Sequence, residues 1–83
     1  MKVQFMLDFK HELIDEEKFR SLKVVETYSD PETWGMGYDI IEVEVDDISE
    51  IKVRMGNGKV YVAEKAEKFK GGQYVSIWSP VEE

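Results

Sequence analysis

Residues 51–64 read IKVRMGNGKVYVAE, two alternating segments joined through Asn57-Gly58. An Asn-Gly pair between such segments is a strong hairpin signal, because both central residues of a type I′ turn need positive φ. A two-residue turn sets Met55 opposite Val60 and Val53 opposite Val62 on one face, with Lys52, Arg54, Tyr61 and Ala63 on the other. A slip of one residue would mix the two sets, so the turn and the pattern predict one register.

Outward from this hairpin the period-two pattern recurs. Val3, Phe5, Leu7 and Phe9 alternate with polar or flexible residues and predict a first strand. Asp15 is placed to cap a short helix running to about Leu22, with Glu16 and Glu17 in its first turn and Ile14 and Phe19 as a hydrophobic staple. Lys23–Ser29 is rich in β-branched residues and stops at Asp30-Pro31, which predicts a second strand. Tyr38–Asp46 predicts a third, with Ile41, Val43 and Val45 on one face and acids on the other. Asp46–Ser49 is a tight turn in which Ile48 tucks inward. After the hairpin, AEKAEKFKGG suggests helical turns through Glu64 and Lys68 at i,i+4 spacing. QYVSIWS is a last strand, with Val75 and Ile77 on one face and Tyr74 and Trp78 on the other. The expected fold is α+β and β-rich, about six short antiparallel strands forming a curved sheet or small half-open barrel with one or two short helices.

The chain has 83 residues, which fits a single domain spanning 1–83 with a modest core. It has no cysteine, so neither a disulfide framework nor a thiolate metal site is available, and a reducing, cytoplasmic location is expected. No apolar run approaches the ~20 residues that span a bilayer, so no membrane association is expected. Net charge is −7, divided as 14 acids and 5 bases in residues 1–50 against 4 acids and 6 bases in residues 51–83. An acidic total disfavours nucleic acid and anionic membrane and favours a basic partner.

The chemistry-bearing motifs are incomplete. His11-Glu12-x-x-Asp15 resembles two metal ligands flanking a base, but His11 is the only histidine of the chain and a zinc site needs three or four ligands. Gly35-x-Gly37 and Gly56-x-Gly58 do not open a long helix, as a dinucleotide fingerprint must. Asp46-Asp47-Ser49-Glu50 lacks the central glycine of a calcium loop. No serine has a histidine placed to activate it. The expectation is a non-enzyme without cofactor or metal.

Two surface features remain. Glu42, Glu44 and Asp46 form an acidic ladder with a spacing of roughly 6.8 Å along a strand, comparable to a row of phosphates. Trp34, Met36 and Tyr38 are large apolar side chains set between glycines, residue types that anchor interfaces. These six are the expected protein-binding residues. The function they suggest is that of a small acidic binding domain, an inhibitor or accessory protein of phage or mobile-element type that acts on a basic partner such as a nucleic-acid enzyme. Two alternatives stand beside it. One is a single-stranded nucleic-acid module using Lys52, Arg54 and Tyr61 with Tyr74 and Trp78. The other is a structural subunit that self-associates as a homo-oligomer.

Overall fold

The computed structural model describes residues 1–29 and 37–81. Among them seven strands form one sheet: β1 (Lys2–Asp8), β2 (Glu12–Leu13), β3 (Leu22–Ser29), β4 (Gly37–Glu44), β5 (Lys52–Arg54), β6 (Val60–Phe69) and β7 (Gly72–Pro80). Their order is β2-β5-β6-β7-β1-β4-β3, and the sheet curls into a half-barrel. The extra strand relative to the expected six is β2, a two-residue pairing of Glu12 and Leu13 with Arg54 and Val53. The sheet is not wholly antiparallel either, since β1 and β7 run parallel where Val3 and Gln4 meet Gln73 and Tyr74.

Alternation builds the core as the sequence suggests. Val3 and Phe5 from β1, Ile41 and Val43 from β4, then Val45, Ile51, Val53, Leu13 and Ala63 are buried together. Trp78 meets Phe5 edge-on, with ring centroids 6.1 Å apart. Ile48 packs against this cluster from its turn, as expected, and so does Phe19. Phe9, by contrast, falls beyond the end of β1 and is exposed.

The hairpin pairs one residue away from the expected register. Val53 faces Tyr61, Arg54 faces Val60 and Lys52 faces Val62. The loop has three residues rather than two: the Met55 amide donates to the Lys59 carbonyl, and the Gly58 amide to the Met55 carbonyl. Gly58, at φ 85, takes the left-handed position that closes a three-residue loop. Val53 and Tyr61 thus share a face, and Val60 and Val62 lie on the other with Lys52 and Arg54.

Neither expected helix forms. Residues 15–22 yield a single 3₁₀ turn, Glu16–Lys18; Asp15 precedes it in left-handed backbone and makes no side-chain cap. A segment this short cannot offset helix nucleation, and its continuation is drawn into β3. Residues 64–69 are the outer half of β6, which pairs with β7 as far as Phe69 opposite Gly72. The local Glu64–Lys68 helix preference is outweighed by a ladder that satisfies backbone groups on a neighbouring strand. Shifts in β6–β7 pairing between Ala63 and Ala66 also break the alternation. Val75 and Trp78, three residues apart, both pack on the core, while Tyr74 and Ile77 are exposed. This corrects the expected grouping of Val75 with Ile77 and Tyr74 with Trp78.

Candidate functional site

Among the described residues no helix covers the sheet's second face, and β4 supplies the side chains at its centre. Its inward residues, Ile41 and Val43, belong to the core, so alternation turns Tyr38, Ile40, Glu42 and Glu44 outward. The register then fixes their neighbours. Tyr38 lies between Asp8 and Tyr28, Ile40 between Met6 and Glu26, and Glu42 between Gln4 and Lys23.

The apolar part of this face is Met6, Ile40, Tyr28 and Tyr38. The Tyr28 and Tyr38 rings stack with centroids 4.9 Å apart and planes 27° off parallel. Met6 is 52% exposed although β1 is a central strand, and Tyr28 is 49% exposed. A solvated sheet face is ordinarily polar, so a methionine and two tyrosines here stand out. The Tyr28 hydroxyl titrates above its ordinary range, chiefly through its hydrogen bond to Glu26 and then through that carboxylate's charge. Tyr74 farther along the sheet behaves alike, its hydroxyl donating to Glu67 at 2.8 Å.

The acidic ladder is present, but its charges are largely compensated. Glu42 accepts a hydrogen bond from the Gln4 amide at 3.1 Å and lies 3.3 Å from the Lys23 ammonium. Its pKa is lowered, first by the Gln4 hydrogen bond; burial opposes this, and the hydrogen bond and charge of Lys23 add to the lowering. Glu44 is 3.1 Å from the Met1 amine, and Asp46 pairs with Arg20. The row is therefore neutralised within the molecule, which is a poor copy of a bare phosphate strand. Beyond it, Asp47 and Glu50 form a capping box: the Ser49 amide donates to Asp47, and the Asp46 and Asp47 amides donate to Glu50. The Ser49 hydrogen bonds hold the Asp47 carboxyl below its ordinary value. The acids of this turn have a structural task that the Asp-x-x-Glu spacing signals.

Of the six expected binding residues, the structure brings Tyr38, Glu42 and Glu44 onto one outward face, with Asp46 just past its end. Trp34 and Met36 lie outside the described residues. Met6, Tyr28 and Glu26 were absent from the sequence-based site because they meet β4's outer row only through strand order, whereas Ile40 lies within that row and alternation alone places it there. The basic and aromatic hairpin face does not assemble: Lys52 and Arg54 are opposite in face to Tyr61, and Trp78 is turned to the core.

A cleft of about 370 Å³ opens at the β1, β3 and β4 ends, and its lining includes His11, Asp39, Tyr28 and Tyr38. The Asp39 carboxylate accepts the Thr27 hydroxyl at 2.9 Å. Among the described residues no three His, Asp or Glu side chains converge to hold a metal ion, and no helix is long and apolar enough to cross a membrane. No protein-family model, curated protein or solved structure matches the chain.

Proposed function

We propose that the protein is a non-catalytic binding domain whose outer sheet face, centred on Tyr38 and Ile40, receives a basic segment of a partner protein. The supporting observation is the Met6–Ile40 pair beside the Tyr28–Tyr38 stack, on a sheet face that no other described element covers. Exposed apolar groups rimmed by polar ones mark interaction surfaces. The rim here carries the carboxylates of Asp8 and Glu26 beside the apolar centre, with Glu42 and Glu44 farther along already paired inside the molecule. Tyrosine faces attract lysine and arginine head groups, by about 0.5–1 kcal/mol each when exposed, and the carboxylates fix where those cations sit. Because Glu42, Glu44 and Asp46 are internally paired, the face favours a polypeptide presenting both aliphatic and cationic side chains over imitation of a phosphate row. In this reading the protein serves as an inhibitor or accessory factor of a basic partner.

The test is calorimetric titration with a synthetic peptide of alternating arginine and valine at low and high salt. Binding that weakens with salt and falls at least about tenfold in a folded Met6→Lys/Glu26→Lys variant supports the reading. Binding equal in that variant and the parent protein would remove it.

A further inference from the structure

The outermost strand carries a second surface, distinct from the outer face. All eight residues of β3 are exposed, and among the described residues β4 is its only neighbour in the sheet. The direction of its free backbone groups follows from the ladder. The Glu44 amide donates to the Ser21 carbonyl at 3.1 Å, and Lys23 opposite Glu42 lies two residues on, in the same phase. Bonding alternates along an antiparallel pair, so Leu22 and Val24 direct their backbone groups away from β4. The irregularity between Val24 and Glu26 then inserts Val25 and shifts the phase: Glu26 faces Ile40, Tyr28 faces Tyr38, and Thr27 and Ser29 point to the free side. The free set is Leu22, Val24, Thr27 and Ser29, which is symmetric about the midpoint between Val25 and Glu26.

We infer that two copies of the chain associate through β3 as a two-fold antiparallel pair, with Leu22 opposite the partner's Ser29 and Val24 opposite the partner's Thr27. A bulge ordinarily blunts an edge, because a regular strand laid along it falls out of phase halfway. A strand carrying the same extra residue at the same place stays in phase throughout, and a second copy supplies that strand. The chain already contains a matched pair of this kind. In β6–β7 the pairing is disturbed between Ala63 and Ala66, yet Ala63 opposite Trp78 and Ala66 opposite Val75 keep one common offset.

Charge favours the same occupant. Within a chain of net charge −7, residues 22–29 hold one lysine and one glutamate and are neutral, so the edge neither repels a copy nor draws a basic peptide. In the pair, Lys23 lies opposite the partner's Tyr28 and diagonal to the partner's Glu26, all three on the outer face. Leu22 and Val24 extend the concave apolar surface across the junction.

Sedimentation equilibrium of the full chain across concentration tests this. The expected result is a mass that rises from 9.7 kDa toward twice that value. Val24→Pro removes an amide that β4 does not use, a change an edge strand tolerates; circular dichroism should stay sheet-like while association weakens at least about tenfold. Register is tested in the cysteine-free background by oxidising Val24→Cys and Thr27→Cys variants, separately and mixed. Only the mixture should cross-link, because like positions are about 10 Å apart along the strand, beyond the roughly 7 Å a disulfide spans. A mass fixed at that of one chain up to about 1 mM, association undiminished in folded Val24→Pro, or cross-linking of Val24→Cys alone would overturn the inference.

Discussion

At Gly37 a single methyl group decides whether β3 and β4 can lie together. A Cβ there would sit 1.9 Å from the Tyr28 carbonyl oxygen and 2.9 Å from the Ser29 Cα, both backbone atoms that cannot swing aside. Gly37→Ala should therefore lower stability by about 1–3 kcal/mol, as overpacking does, with urea denaturation as the measurement. Glu42 and Asp47 set the acid limb. Both have depressed pKa values in the folded chain, from ordinary values of 4.5 and 3.8, so their contributions are complete above those values and are lost as pH falls through the folded ones. Denaturation midpoints should fall as pH drops below about 4.5, and Glu42→Gln should flatten that decline; an unchanged slope would show that Glu42 is not held by Gln4 and Lys23. The outward set of Glu42 and Glu44 was legible from alternation alone. Their partners were not, because Gln4, Lys23 and the Met1 amine come from other strands.

The strands around Asn57 show how far local patterns reach. A hairpin was legible at residues 51–64, and its strands form, but Gly56-Asn57-Gly58 supports a three-residue loop as well as a two-residue one. Hydrophobicity could not arbitrate, since Val60 and Val62 alternate with Tyr61 and Ala63 and both sets are apolar. Gly58 is left-handed while Asn57 is not, which a type I′ turn does not allow, and nothing lies within 4 Å of a Cβ added at Gly58. Gly58→Ala should thus cost about 1–2 kcal/mol through conformation alone. The same register places Arg54 and Val60, and Lys52 and Val62, as non-hydrogen-bonded pairs, so strong Hα–Hα contacts by NMR should link them. Contacts linking Met55 to Val60 and Val53 to Val62 instead would restore the two-residue turn. The β6 segment was misread for a different reason: Glu64 and Lys68 suit a helix, and only the long-range partner β7 makes them a strand. The first connection likewise had a capping signal at Asp15, but too few residues to sustain a helix.

At the scale of the whole fold, one curled sheet encloses its core on the concave side, and no other element among the described residues covers the opposite side. The sequence implied β-rich architecture and the core face, since Val3, Phe5, Ile41, Val43 and Val45 alternate cleanly. It could not reveal that β1 sits between β7 and β4, because strand order depends on pairings between distant segments. That order is what sets Met6 beside Ile40 and Tyr28 beside Tyr38, and so creates the patch on which the proposed function rests. The most direct measurement is backbone and methyl NMR of the isotope-labelled full chain during titration with the arginine-valine peptide. Shifts confined to Met6, Tyr28, Tyr38, Ile40 and Glu42 are expected, with the concave core and the Asn57 turn unmoved. No shifts at saturating peptide, or shifts centred on any other surface, would contradict a binding face built around β4.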